Sequence, residues 1–69
     1  MNQNQALLKY LKRNRSGITQ WTAAFDLGIL RLSERIRELE SEGHTIHRHR
    51  ERGENRYGNP VSVVKYKLI

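Results

Sequence analysis

Three groups of side chains in this sequence have the types and spacing to do chemistry, and the chemistry they suit is contact with a polyanion. The densest runs from His47 to Tyr57: His47, Arg48, His49, Arg50, Arg52 and Arg56 surround a segment rich in glycine and asparagine, and Tyr57 adds a flat ring. Guanidinium groups on such a segment can track phosphates or enter a narrow minor groove, where the negative potential is enhanced. The second group is Arg31, Ser33, Glu34 and Arg37, on the polar side of an apolar stripe of helical spacing. An arginine placed there can clamp O6 and N7 of guanine, and a glutamate can accept from cytosine N4. The same residues also read as a solvated face in which Arg31 supports Glu34 and Arg35 supports Glu38. The third group, Lys12, Arg13, Thr19 and Gln20, stands at helix ends, placed to meet backbone phosphates.

Other chemistries find no set of residues. His44, His47 and His49 have the spacing His-x-x-His-x-His, but the chain has no cysteine and no obvious carboxylate to complete a tetrahedral set. Neither a metal nor a cofactor is expected. Serine, histidine and aspartate all occur, yet Asp26 falls on a helix and the histidines in a later segment, so nothing orients a nucleophile against a base. No catalytic residue is expected, and the chain does not read as an enzyme.

The charge balance points the same way as the clusters. The net charge is +6 and the sequence pI about 10.3, which favours a polyanionic partner. Residues 1–29 carry +3, residues 30–43 carry −1 and residues 44–69 carry +4. The positive field therefore comes from the two flanks. Sixty-nine residues allow one domain with one small core. The absence of cysteine excludes disulfides, and the short apolar runs fit neither a membrane span nor a secretory signal, which suits the cytoplasm of a bacterial host.

The elements that must position these residues are legible from periodicity. Thr19 to Gly43 reads as two helices joined by a tight turn. The first, about 19–27, has Thr19 as N-cap and Trp21, Ala24 and Leu27 on one side. Gly28 supplies a backbone that can take positive φ, and small Ala24 lets the helices cross closely. The second, about 30–42, repeats the stripe at Leu32, Ile36 and Leu39 and stops at Gly43. Before them, about 2–14, a helix carries Leu7, Tyr10 and Leu11 along one side with Leu8 beside them. Trp21 and Tyr10 stand in apolar stripes, so core packing is their expected role rather than base stacking. Ile18 either seals the junction between helices or forms a strand stub. After Gly43 the period becomes alternating, with strands at about 45–51 and 61–68. Ile46, Val64, Tyr66 and Leu68 are the core-facing set, and Lys65 and Lys67 can protect the sheet edge. Between the strands, ERGENRYGNP is a hairpin tip. The fold class is α+β: three helices followed by a two-stranded β-hairpin wing, a winged helix-turn-helix, in a single domain over 1–69.

The joint spacing of Gly17-Ile18-Thr19, Ala24, Gly28-Ile29, Arg31-Leu32, Ile36, Leu39, Gly43 and Ile46, with the closing Lys65-Tyr66-Lys67-Leu68, resembles the small winged helix-turn-helix domains encoded by bacteriophages and prophages. The resemblance covers residues 16–69 and implies a DNA-binding fold without implying an operator or a regulated gene.

Double-stranded DNA is therefore the expected partner, with the third helix in the major groove and the wing on backbone or minor groove. The role would be transcriptional regulation or accessory architectural or recombination work. A homodimer, through the first helix or the last strand, or tandem binding would complete a site. The rival reading is a winged-helix protein-interaction module that binds or inhibits a host or phage protein, favoured by the glutamates around the third helix. RNA is a weaker third partner.

Overall fold

The computed structural model describes residues 2–54 and 56–69, and the order of elements is α1 (Gln3–Arg13), α2 (Gln20–Leu27), α3 (Leu32–Ser41), β1 (Ile46–Glu54) and β2 (Pro60–Leu68). A capping box starts α1: Asn2 Oδ1 accepts from the Gln5 N–H at 2.8 Å, and Gln5 Oε1 accepts from the Asn2 N–H at 3.1 Å. Leu7 and Leu11 on its inner side are fully buried, with Leu8 and Tyr10 packed beside them. Thr19 starts α2 by accepting from the Thr22 N–H at 3.3 Å. Gly28 ends that helix in the left-handed region, at φ 68°, and the Ile29 N–H returns to Ala23 O at 2.9 Å.

Gln20 then fastens the turn. Its Nε2 donates to Ile29 O and its Oε1 accepts from the Leu32 N–H, each at 3.1 Å. Arg31, the N-cap of α3, makes no side-chain cap bond, so an amide from the preceding helix takes that part. Leu30 and Arg31 belong to this turn, and α3 starts two residues later than the stripe suggests. At its other end the Gly43 N–H returns to Glu40 O and the His44 N–H to Leu39 O.

The core is one cluster. Leu7 and Leu11 from α1 meet Leu32, Ile36 and Leu39 from α3, and Ile18, Ala23, Ile29 and Ile46 close the remaining sides. Trp21, expected inside, is 67% exposed, and Phe25 is 79% exposed. The reason is the phase of a short helix. With only eight residues α2 can turn either side inward, and the side it buries carries Ala23, small enough to let α2 approach its neighbours. Ala23 thus takes the crossing expected of Ala24, which is only half-buried. Ile29, arriving from the turn, fills the volume a tryptophan would have needed.

The hairpin pairs without a bulge from Ile46 with Leu68 to Glu54 with Pro60, longer at both strands than the alternation suggests. Ile18 adds a single antiparallel bridge to Tyr66: its N–H donates to Tyr66 O at 2.8 Å and its O accepts from the Tyr66 N–H at 2.9 Å. Ile18 both seals the junction and forms the stub. Leu68 and Tyr66 pack on the core, whereas Val64 stands further out along the wing. The approach of the two segments requires Gly17, whose φ is 103° and on which a Cβ would lie 2.6 Å from Tyr66 O.

A fork binds the base of the wing to α3. Arg48 Nη2 and Nη1 donate to Glu40 Oε1 and Oε2 at 2.6 and 3.1 Å, and the guanidinium sits 5.7 Å from the centre of the Tyr66 ring. The hydrogen bonds from Arg48 hold the Glu40 carboxyl below the usual carboxylate range.

Two outcomes follow from these contacts. Gly28→Ala places a Cβ in open space at a left-handed φ and should cost about 1–2 kcal/mol, whereas Gly17→Ala should cost clearly more, because its Cβ meets a main-chain oxygen. Equal losses in thermal unfolding would contradict this packing. In Arg48→Met the Glu40 carboxyl should titrate higher, back toward the ordinary range, as read by carboxyl carbon NMR. Because its folded pKa is depressed, the stability Glu40 contributes is present above its unfolded pKa and is lost as pH falls through the folded value. The stability gap between wild type and Arg48→Met should therefore narrow in acid, and an unmoved Glu40 titration would rule out the fork.

Candidate nucleic-acid interface

Helix α3 turns Ser33, Glu34 and Arg37 to solvent, opposite the buried Leu32, Ile36 and Leu39. Arg31 stands just before the helix with Nη1 3.5 Å from Glu34 Oε1, and Arg35 reaches the other oxygen of Glu34 at 3.8 Å. Glu34 is thus flanked by two arginines. Arg35 bonds Glu38 Oε1 at 2.7 Å, and Asn4 of α1 donates to Glu38 Oε2 at 2.6 Å. Glu40 is held by Arg48. Arg37, exposed on the same side, makes no ion pair among the described residues.

Strand register sorts the wing cations into two sets, because residues directly opposite one another share a face. Arg48, Arg50 and Arg52 pair with Tyr66, Val64 and Ser62 on the side that continues from the core. His47 and His49 pair with Lys67 and Lys65 on the other side, where His49 Nε2 lies 3.9 Å from Glu51 Oε1. The run His47 to Arg52 is therefore not one surface. Arg48 is consumed by Glu40 and Tyr66, while Arg50 and Arg52 are exposed and make no ion pair among the described residues. Arg56 and Tyr57 lie exposed at the hairpin tip.

The starts of α2 and α3 meet the inner side of the wing. A recess lined in part by Gln20, Ser33, Ser62 and Val64 joins the three elements, which brings the outward side of α3 beside the strand face that carries Arg50 and Arg52. Thr19 and Gln20 border this region, but their polar atoms serve the α2 cap and the α2–α3 turn. Lys12 and Arg13 are exposed at the end of α1, and Arg13 borders Leu27 at the far end of α2.

Periodicity passed over one further feature. Trp21 and Phe25 stack on the outside of α2, ring centroids 5.9 Å apart and planes inclined by 13°. The signal was present: two aromatics four residues apart, flanking the small Ala23 and Ala24, form a second stripe on the same short helix.

Among the described residues no helix is long and apolar enough to cross a membrane. A family model described as a winged helix-turn-helix domain matches residues 2–69, while no curated protein and no solved structure matches the chain. With three helices, a glycine-ended turn between the second and third, and an antiparallel hairpin after them, the chain belongs to the winged helix-turn-helix domain family.

Proposed function

We propose that this protein binds double-stranded DNA, with α3 in the major groove and the inner side of the wing on the adjacent backbone or minor groove. The observation that carries this reading is how α3 disposes of its charge. Glu34, Glu38 and Glu40 are drawn against Arg31, Asn4, Arg35 and Arg48, so three of the four acids that make this segment negative in the sequence are answered from within the protein. Arg37, Arg50 and Arg52 keep exposed side chains without an ion pair among the described residues. A phosphate or a base edge supplies what they lack.

The residues divide by role. Ser33, Glu34 and Arg37 would meet base edges, with Arg31 at the entry to the groove. Arg50, Arg52 and Arg56 would follow phosphates, and Arg48 would act by holding the wing at its angle to α3. One such module covers about 600–1,000 Å² of DNA, so a second copy on a neighbouring half-site would complete site selection. Regulation of transcription and architectural work on DNA both use such a module.

Titration with random duplex DNA tests the reading. Affinity should fall steeply between about 50 and 200 mM salt, and Arg50→Ala with Arg52→Ala should lower it for every sequence while flattening that slope. Arg37→Ala should instead change the sequences recovered from a random pool. Absence of duplex binding even at low salt would sink the proposal and leave the protein-interaction reading in its place.

A further inference from the structure

Ile18 begins a strand beside β2, and the chain leaves that line after one residue. Both main-chain groups of Tyr66 bond to Ile18, after which Thr19 caps α2 and the backbone turns into the helix. The register of β1 with β2 is unbroken, and the Ile69 N–H continues it by donating to Thr45 O at 3.0 Å. In an antiparallel ladder successive residues direct their N–H and C=O to alternate edges. Since Tyr66 directs its pair toward Ile18, Val64 and Ser62 direct theirs the same way, away from β1, where no strand follows them among the described residues.

This edge borders an apolar groove of about 590 Å³ between Trp21 and Phe25 of α2 and Val61 and Val63 of β2. Arg56 and Glu54 stand at its tip end, and Arg50 and Arg52 lie across the hairpin from Val64 and Ser62. Counting Arg48, Arg50, Arg52, Arg56, Lys65 and Lys67 against Glu51 and Glu54, the segment 44–69 carries +4. An edge that offers donors and acceptors in alternation is matched by another peptide backbone. A phosphate only accepts, and it gains nothing from aromatic walls. A second copy of this chain would lay two such cationic wings side by side.

We infer that the open edge of β2 at Ser62 and Val64 takes up an acidic, aliphatic peptide segment as an added strand, its apolar side chains against Trp21 and Phe25. The site shares the wing arginines with the DNA reading but does not rest on it. The added strand would run antiparallel to β2 in line with Ile18, and its carboxylates would meet the wing arginines.

The chain has a single tryptophan, so Trp21 emission reports on the groove directly. A labelled peptide of alternating glutamate and valine should bind by fluorescence anisotropy and shift Trp21 emission to the blue. N-methylation of every second residue of the peptide, which deletes main-chain donors without changing charge, should weaken binding about tenfold. Ser62→Pro removes an N–H that β1 does not use, at an edge position where proline is tolerated, and should weaken it similarly. If that variant fails to fold, the N-methylated peptide on the wild-type protein decides alone. Equal binding of a lysine–valine peptide, or indifference to N-methylation, would overturn the inference. So would a blue shift of Trp21 produced by duplex DNA without peptide, or by self-association in sedimentation.

Discussion

Two main-chain hydrogen bonds between Ile18 and Tyr66 tie the last strand to the residue before the α2 N-cap, and three features of the molecule follow from them. They place the hairpin on the same core as the helix pair, so that Ile18, Ile46 and Leu68 close one side of the cluster built by Leu7, Leu11 and Ile36. They fix the parity of β2, and through the register the parity of β1, which decides that Arg50 and Arg52 rather than His47 and His49 share the face of Tyr66. They also decide which main-chain groups of β2 are left at its outer edge. A shift by one residue would reverse the strand parity, and the lack of a side chain at Gly17 is what lets the two segments approach this closely.

Charge is arranged with the same economy. The segment of α3 is the only one with a negative balance, yet its carboxylates bind the helix to its surroundings: Glu38 to Asn4 of α1 and Glu40 to Arg48 of β1. These contacts are half-exposed at most and each contributes modestly. Their larger effect is positional. They set α3 between the first helix and the wing, and they leave outward-facing arginine on both α3 and β1. The long-range part of the potential is then cationic, even though the α3 segment alone is not.

What was legible in the sequence is what rests on local rules. The stripe Leu32, Ile36, Leu39 gave the inner side of α3 because ten residues allow only one phase. Gly28 ended α2 because few other residues take its φ. Trp21 was placed inside by the same reasoning and lies outside, since a helix of two turns has no fixed phase until its neighbours are known, and Ile29 competes for the core from a turn whose path no period describes. The wing shows a different limit. Its cations were all visible, but whether two of them share a face depends on the partner strand, and the consumption of Arg48 by Glu40 depends on a contact between elements. Gln20 was legible as a polar residue at a helix start and not as the cap of the next helix, because its two partners lie nine and twelve residues away.

The exposed aromatic pair bears on what this surface is for. A domain of this size has little core to spare, and each large apolar side chain fully buried contributes about 1.5–3 kcal/mol. Here the tryptophan and the phenylalanine, the two largest apolar side chains in the chain, stay mostly in water while Ala23 takes the interior position. Stacking on each other recovers about 0.5–1.5 kcal/mol, less than burial of either would give. Local stability therefore does not account for their place. They stand over the side of β2 where Ser62 and Val64 present unpaired donors and acceptors, and an apolar wall beside an unfinished sheet is satisfied in one step by a strand that brings both backbone and side chains.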